Sequence, residues 1–319
     1  MLMRSRIVVH RLLLGLACCA LERQVYDLLV VLDITQSMNV RDYSIGGKPA
    51  SRLNFAKQAL REATLELPCG SRLGLGIFTE YRTYVLFTPV EVCRNQTELA
   101  NTLDRLNGQM AWAGRSEIAK GLFSGLQTAR DIPGRPDLIF ITDGHEAPPI
   151  NPRYRLRFDG HRGDVRGIVV GAGGLVARPI PKYSLDGKPL GFWQADEVIQ
   201  TDLYTRGRAG SIANEQMTDT QPSTPGLPGT SAPGLEHLSA LQEEYLQLLA
   251  SETGLSYRRL IEQKSMFDAL TDTTLTRSAI AQTDVRWIAG TLALLALLAV
   301  HLPSPSIRSR GRAITNVSH

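Results

Sequence analysis

Asp33, Thr35 and Ser37 stand at alternating positions directly after the apolar run VYDLLVVL. Three hard oxygen ligands on one tight loop suit an octahedrally coordinated Mg²⁺, Ca²⁺ or Mn²⁺ far better than zinc. Such a short Asp/Thr/Ser run also has the composition of a helix cap. A second carboxylate comes from DLIFITDG, where Leu138 to Ile141 lead into Thr142 and Asp143, and Gly144 permits a tight turn. A further hydroxyl, Ser116, lies in WAGRSEIAKGLFSGL, ahead of Ile118, Leu122, Phe123 and Leu126 at helical spacing. Taken alone, Ser116 reads as the N-cap of that helix. Glu117 adds a negative charge beside it, on a face open to solvation.

The elements that must position these groups are legible as alternating strands and helices. The runs ending in Asp33 and Asp143 read as buried parallel strands with a carboxylate at each C-terminal end. In an open α/β sheet, ligands bind at such ends where the strand order switches. Residues 50–66 place Leu53, Ala56, Leu60 and Ala63 on one helical face, and Leu67 follows just beyond. Residues 72–78 and 83–90 read as strands joined by a short turn around Glu80 and Tyr81. QTELANTLDRL and residues 115–130 read as helices, and residues 164–174 as a strand. The expected fold is therefore α/β, a doubly wound and mostly parallel sheet with helices on both faces and an antiparallel edge hairpin. Residues 204–235, rich in Gly, Pro, Ser and Thr, read as a flexible insertion. An amphipathic helix from Glu236, capped near Gly254, and a short strand then complete one domain over 22–262.

With 319 residues and 43% hydrophobic content the chain can bury a sizeable core. A net charge of +4 is only mildly basic, and no motif interleaves aromatic and basic residues, which speaks against a nucleic-acid partner. Arg153, Arg155 and Arg157 alternate with Tyr154, Leu156 and Phe158, giving a solvated basic face or an electropositive lip near Asp143.

Both ends look membrane-directed. Residues 1–21, with Arg4, Arg6 and Arg11 before LLLGLACCA, read as a signal peptide or anchor. Residues 263–286 read as a juxtamembrane helix and 287–303 as a transmembrane helix. That span is short against the roughly 20 residues a bilayer takes, so a buried core helix is the alternative. The tail 304–319 carries Arg308, Arg310 and Arg312, which places it in the cytoplasm and the domain on the other side of the inner membrane, in the periplasm. Cys69 and Cys93 flank the hairpin at equal distance from Tyr81, so antiparallel pairing sets them opposite each other. In an oxidising compartment they are expected to form a disulfide, with two unpaired buried thiols as the alternative.

Asp, Thr and Ser, then a loop hydroxyl, then a strand-end Asp, in that chain order, resemble the metal-ion-dependent adhesion site (MIDAS) of von Willebrand factor A domains. The resemblance implies that Asp33, Thr35 and Ser37 form its D-x-S-x-S loop, with Thr for the first Ser. It implies that Ser116 stands where the family usually has Thr, and that Asp143 is the last carboxylate, reaching the metal through water. The implied cofactor is a divalent metal, Mg²⁺ first, with Ca²⁺ or Mn²⁺ possible. The implied activity is adhesion, with a partner protein's carboxylate filling the open coordination position.

Over nearly the whole chain the arrangement resembles bacterial A-domain proteins encoded beside MoxR-type AAA+ ATPases. Within that group VLDITQSMNVRDY, WAGRSEIAKGL and ITDGHEAPPINPRYRLRFDG resemble most closely the MxaL family of methanol-oxidation clusters. That family is implicated in maturing periplasmic quinoprotein methanol dehydrogenase, including insertion of its Ca²⁺. Expected partners are then methanol dehydrogenase, another A-domain protein of the cluster, or the ATPase acting through the membrane. A general envelope assembly or stress role is the alternative. No enzymatic activity is expected. A Mg²⁺-dependent phosphatase with Asp33 as nucleophile would want a second acid where Thr35 stands, and a Ser37–His145–Asp143 hydrolase lacks the G-x-S-x-G elbow. Alanine at Asp33 or Asp143 is expected to leave the domain folded.

Overall fold

Strand β1, Asp27–Asp33, is buried along its whole length. Leu28, Val30 and Leu32 point into one apolar cluster and Leu29 and Val31 into another, as a period-two strand between two helical layers requires. The computed structural model describes residues 18–112, 114–150, 155–184, 186–198 and 235–284, and beyond these only 290–292, 294, 295 and 298.

The remaining strands of the central sheet are β2 (Arg72–Thr79), β3 (Arg82–Glu91), β4 (Asp137–Thr142), β5 (Gly167–Ala172) and β6 (Ser256–Leu260). Their order is β6-β5-β4-β1-β2-β3. All neighbours are parallel except β2 and β3, which form the antiparallel edge hairpin. Helices α1 (Arg52–Glu66), α2 (Gln96–Arg105) and α5 (Gln263–Leu270) send buried side chains into one cluster. Helices α3 (Ile118–Asp131) and α4 (Glu243–Thr253) supply the other. Helix α3 lies close against the sheet because Gly121 has no side chain there: a Cβ at that position would meet the Phe78 ring at 2.1 Å. Gly254 ends α4 in the left-handed region at φ +82°, as expected of a glycine just past a helix.

Three segments differ from the sequence reading. The helix expected from Glu236 starts only at Glu243, because Leu238–Ser239 instead pairs as a short strand with Arg178–Pro179. The single helix expected over 263–286 ends at Leu270. Asp272 then accepts a hydrogen bond from the Thr274 backbone to start a 3₁₀ turn, and Arg277–Asp284 is a strand. That strand pairs with Cys18–Val25, which begins inside the stretch read as a signal. One compact unit spans Glu22–Ala279.

Cys69 and Cys93 are joined in a disulfide, with their Cα atoms 5.4 Å apart. Of the arginine stretch, Arg153 and Tyr154 lie outside the described residues. Arg155 forms an ion pair with Glu252 of α4, so part of the basic face is tied to the fold. The insertion up to residue 234, residues 1–17 and the tail 304–319 lie outside the described residues, as does most of 287–303. Among the described residues no helix is long and apolar enough to cross a membrane.

Candidate metal centre

Strands β1 and β4 are neighbours, and the connections from them run to opposite sides of the sheet. Their C-terminal ends therefore form a crevice at the switch point, and Asp33 and the residue after β4, Asp143, both stand in it. The Asp33 carboxylate accepts hydrogen bonds from the Thr35 backbone N–H (2.8 Å) and the Thr142 hydroxyl (2.6 Å). The chain then turns through a 3₁₀ segment, Gln36–Asn39, which carries Ser37 inward. Ser37 Oγ donates to Asp143 Oδ1 at 3.0 Å and lies 3.4 Å from Thr35 Oγ1. Gly144, at φ +78°, makes the turn that lets the His145 N–H return to Asp143 Oδ1 at 3.0 Å.

Neither Thr35 nor Ser116 is employed as a cap. Thr35 precedes the 3₁₀ turn without a side-chain capping bond, and the residue that precedes α3 is Glu117. Ser116 instead exchanges backbone hydrogen bonds with Ala147, both at 2.8 Å. This holds it over the crevice with its Oγ buried and without a hydrogen-bond partner. All five expected ligand residues are at most 3% exposed. Thr35, Ser37 and Ser116 line a cavity of about 340 Å³ with His145, Trp193 and Glu236. The five expected ligands offer hydroxyl and carboxylate oxygens only, and the Ser116 hydroxyl has no hydrogen-bond partner. That set fits a hard divalent cation.

Sequence reasoning missed the charged groups behind these ligands. Arg52, whose side chain is completely buried, pairs with Asp143 at 2.6 Å and with Asp42 at 2.7 Å. Ser239 donates to Asp143 Oδ2 at 3.2 Å and accepts from Arg52 through both its hydroxyl and its carbonyl. Burial, then the nearby Asp143 charge, pushes the Asp33 carboxyl up to about 7. Burial holds His145 below the usual histidine range, so its ring is neutral at pH 7, and pushes Glu236 up to about 8.

Glu146 is likewise pushed up to about 7 by burial, while Tyr245 donates to it at 2.7 Å and the Ala119 N–H at 3.2 Å. A raised carboxyl stabilises the fold below its unfolded value, near 4.3, and that stabilisation is lost as pH rises through the folded value. Glu146→Gln keeps an acceptor for Tyr245 and Ala119 without the buried charge. The variant is expected to match the parent near pH 4 and to be more stable at pH 8 by about 3–4 kcal/mol. Urea unfolding at the two pH values checks this, and an equal gain at both would show that ionisation of Glu146 is not responsible.

The model of the family described as von Willebrand factor type A domain matches residues 28–145, a segment that opens in β1 and closes just past Asp143. The chain carries a von Willebrand factor type A domain. All five ligand candidates of the A domain fall inside the matched segment, whereas Ser239 and strands β5 and β6 lie beyond it. No curated protein matches the chain. Among solved structures, an aerotolerance-related membrane protein from Bacteroides fragilis is similar at 16% identity and TM-score 0.49, covering 78% of this chain and 100% of that one. A membrane-spanning protein from Vibrio fischeri is similar at 18% identity and TM-score 0.29, covering 84% and 98%. A von Willebrand factor type A protein from Catenulispora acidiphila is similar at 11% identity and TM-score 0.36, covering 81% and 46%.

Proposed function

We propose that the A domain is a metal-dependent adhesion module, in which Asp33, Thr35, Ser37, Ser116 and Asp143 would hold Mg²⁺ or another hard divalent ion. The observation that carries this reading is the buried, unpartnered Ser116 hydroxyl facing the same cavity as Thr35 and Ser37. A bound metal supplies an electrophilic position that a partner's carboxylate can fill. The protein's own residues do the rest. Thr142 and the Thr35 N–H fix the Asp33 carboxylate, Ser37 and His145 fix Asp143, and the Ala147 backbone fixes Ser116.

We read the role as binding rather than catalysis. Thr35 occupies the place where a phosphatase would carry its second acid. Ser37 donates to Asp143 rather than to His145, whose ring lies beside Glu236, 3.6 Å from that carboxylate; this supports a binding role over a Ser37–His145–Asp143 relay.

In the finer form of the proposal the chain is an inner-membrane protein with the A domain in the periplasm and a cytoplasmic C-terminus. It acts in maturing methanol dehydrogenase, in Ca²⁺ insertion or assembly, alone or with other A-domain proteins and a MoxR-type ATPase. The sequence likeness of VLDITQSMNVRDY and ITDGHEAPPINPRYRLRFDG to the MxaL family supports that form. A general envelope assembly role fits the same geometry. Co-purification from membranes tests both: a partner retained in Mg²⁺, released by EDTA and recaptured on adding Mg²⁺ is the expected result. Recovery of methanol dehydrogenase favours the maturation role. A partner retained equally in EDTA overturns the adhesion mechanism.

A further inference from the structure

We infer that Arg52 is a built-in counter-cation of the metal centre, holding its loops in place when no metal is bound and setting how tightly metal binds. The inference rests on the metal-adhesion reading of the same site. Arg52 opens α1, the end of a helix where the backbone dipole disfavours a cation, and its guanidinium is fully buried. Burying an unpaired guanidinium is strongly unfavourable, so its place there depends on its partners.

Those partners tie three separate loops together. Nε and Nη2 donate to Asp42 Oδ2 at 2.9 and 2.7 Å. Nη1 donates to Asp143 Oδ2 and to Ser239 Oγ, both at 2.6 Å, and Nη2 also reaches the Ser239 carbonyl at 3.1 Å. Asp42 follows the Asp33–Ser37 loop, Asp143 directly follows β4, and Ser239 belongs to the short strand Leu238–Ser239. Arg52 thus neutralises Asp143, one of the two buried carboxylates at the centre, and ties it to Asp42 without touching Asp33.

Two consequences of opposite sign follow. A positive charge bound to Asp143 repels an arriving divalent cation, and this lowers the affinity of the centre for metal. Asp42 partly neutralises that charge and so raises the affinity. A partner's carboxylate adds the missing negative charge, so metal and partner bind cooperatively.

Calorimetric titration of the full chain with Mg²⁺, and of the same proteins with Mn²⁺ followed by electron paramagnetic resonance, tests this. Arg52→Gln is expected to bind either ion on the order of tenfold more tightly, and Asp42→Asn on the order of tenfold more weakly. Thermal unfolding of Arg52→Gln should also become strongly metal-dependent, while the parent shifts little. A purely structural role for the pair predicts weaker binding in both variants, and that result overturns the inference. If Arg52→Gln does not fold in millimolar Mg²⁺, Arg52→Lys decides the matter together with Asp42→Asn. Lys keeps the charge without the fork, so affinity within about threefold of the parent supports the inference and a tenfold loss overturns it. Failure of the parent itself to bind Mg²⁺ or Mn²⁺ removes the metal reading; binding by the parent with the wrong sign in the variants removes only the role of Arg52.

Discussion

Asp33→Asn is expected to give a folded protein that no longer holds metal or captures its partner. Asparagine keeps an acceptor for the Thr35 N–H, and the side chain stays within reach of Thr142. What it removes, on the proposed reading, is one of the centre's two carboxylates. Replacing groups that merely support a ligand costs roughly 10- to 100-fold in metal affinity, so the loss here should be at least about 100-fold. Without metal the variant should be more stable than the parent at pH 8. Asp33, pushed up to about 7 by burial and by Asp143, is ionised there at a cost that asparagine does not carry.

Asp143→Ala should behave differently, against the expectation from sequence that both positions tolerate alanine. It strips a partner from the buried Arg52 guanidinium, and breaking a buried ion pair from one side costs about 3–5 kcal/mol. Urea unfolding in EDTA, with Mg²⁺ titration of the folded variants, separates the two. If Asp33→Asn binds Mg²⁺ and partner as the parent does, Asp33 is not a ligand.

Removing the disulfide should have the second large effect. Cys69 and Cys93 are 24 residues apart in sequence and close the mouth of the β2–β3 hairpin. Constraining a loop of that size in the unfolded chain contributes about 3 kcal/mol. Cys69→Ser with Cys93→Ser is expected to lower stability by that amount and to abolish any response to reductant, while the parent falls to the same level when reduced. The metal affinity of the folded double variant should be unchanged, because the bond lies at the opposite end of β2 from Thr79 and the ligand loops. Equal stability of parent and variant in oxidising buffer would mean that the edge hairpin does not depend on its crosslink.

The carboxylates at the ends of β1 and β4 were legible because they follow uninterrupted apolar runs, which leave little choice but buried strands. The disulfide was legible for a related reason, since a two-strand hairpin fixes which residues face each other. Arg52 was not legible as part of the site. An arginine at the head of an amphipathic helix looks like a solvated residue, and its partners come from Asp42, Asp143 and Ser239, distant in sequence. One clue was available: a cation in the first helical turn opposes the helix dipole, and something else must hold it there. The late helix was drawn too long for a similar reason. Leu238, Leu241, Leu246 and Leu249 suit a helix, but Ser239 is drawn out of that pattern by Arg52 and Asp143. Residues 277–284 were read as helical because no local signal opposes it; their pairing with Cys18–Val25 is a contact across almost the full chain.

Strand order has one more consequence, for when the protein becomes able to act. Asp33 and Asp143 stand side by side only because β4 inserts next to β1, and Ser239 arrives later still. A nascent chain that has emerged only through β3 displays the first ligand loop with nothing to complete it. On the proposed adhesion reading, binding capacity would therefore double as a certificate of completed folding, because a chain lacking β4 has no Asp143 to complete the centre.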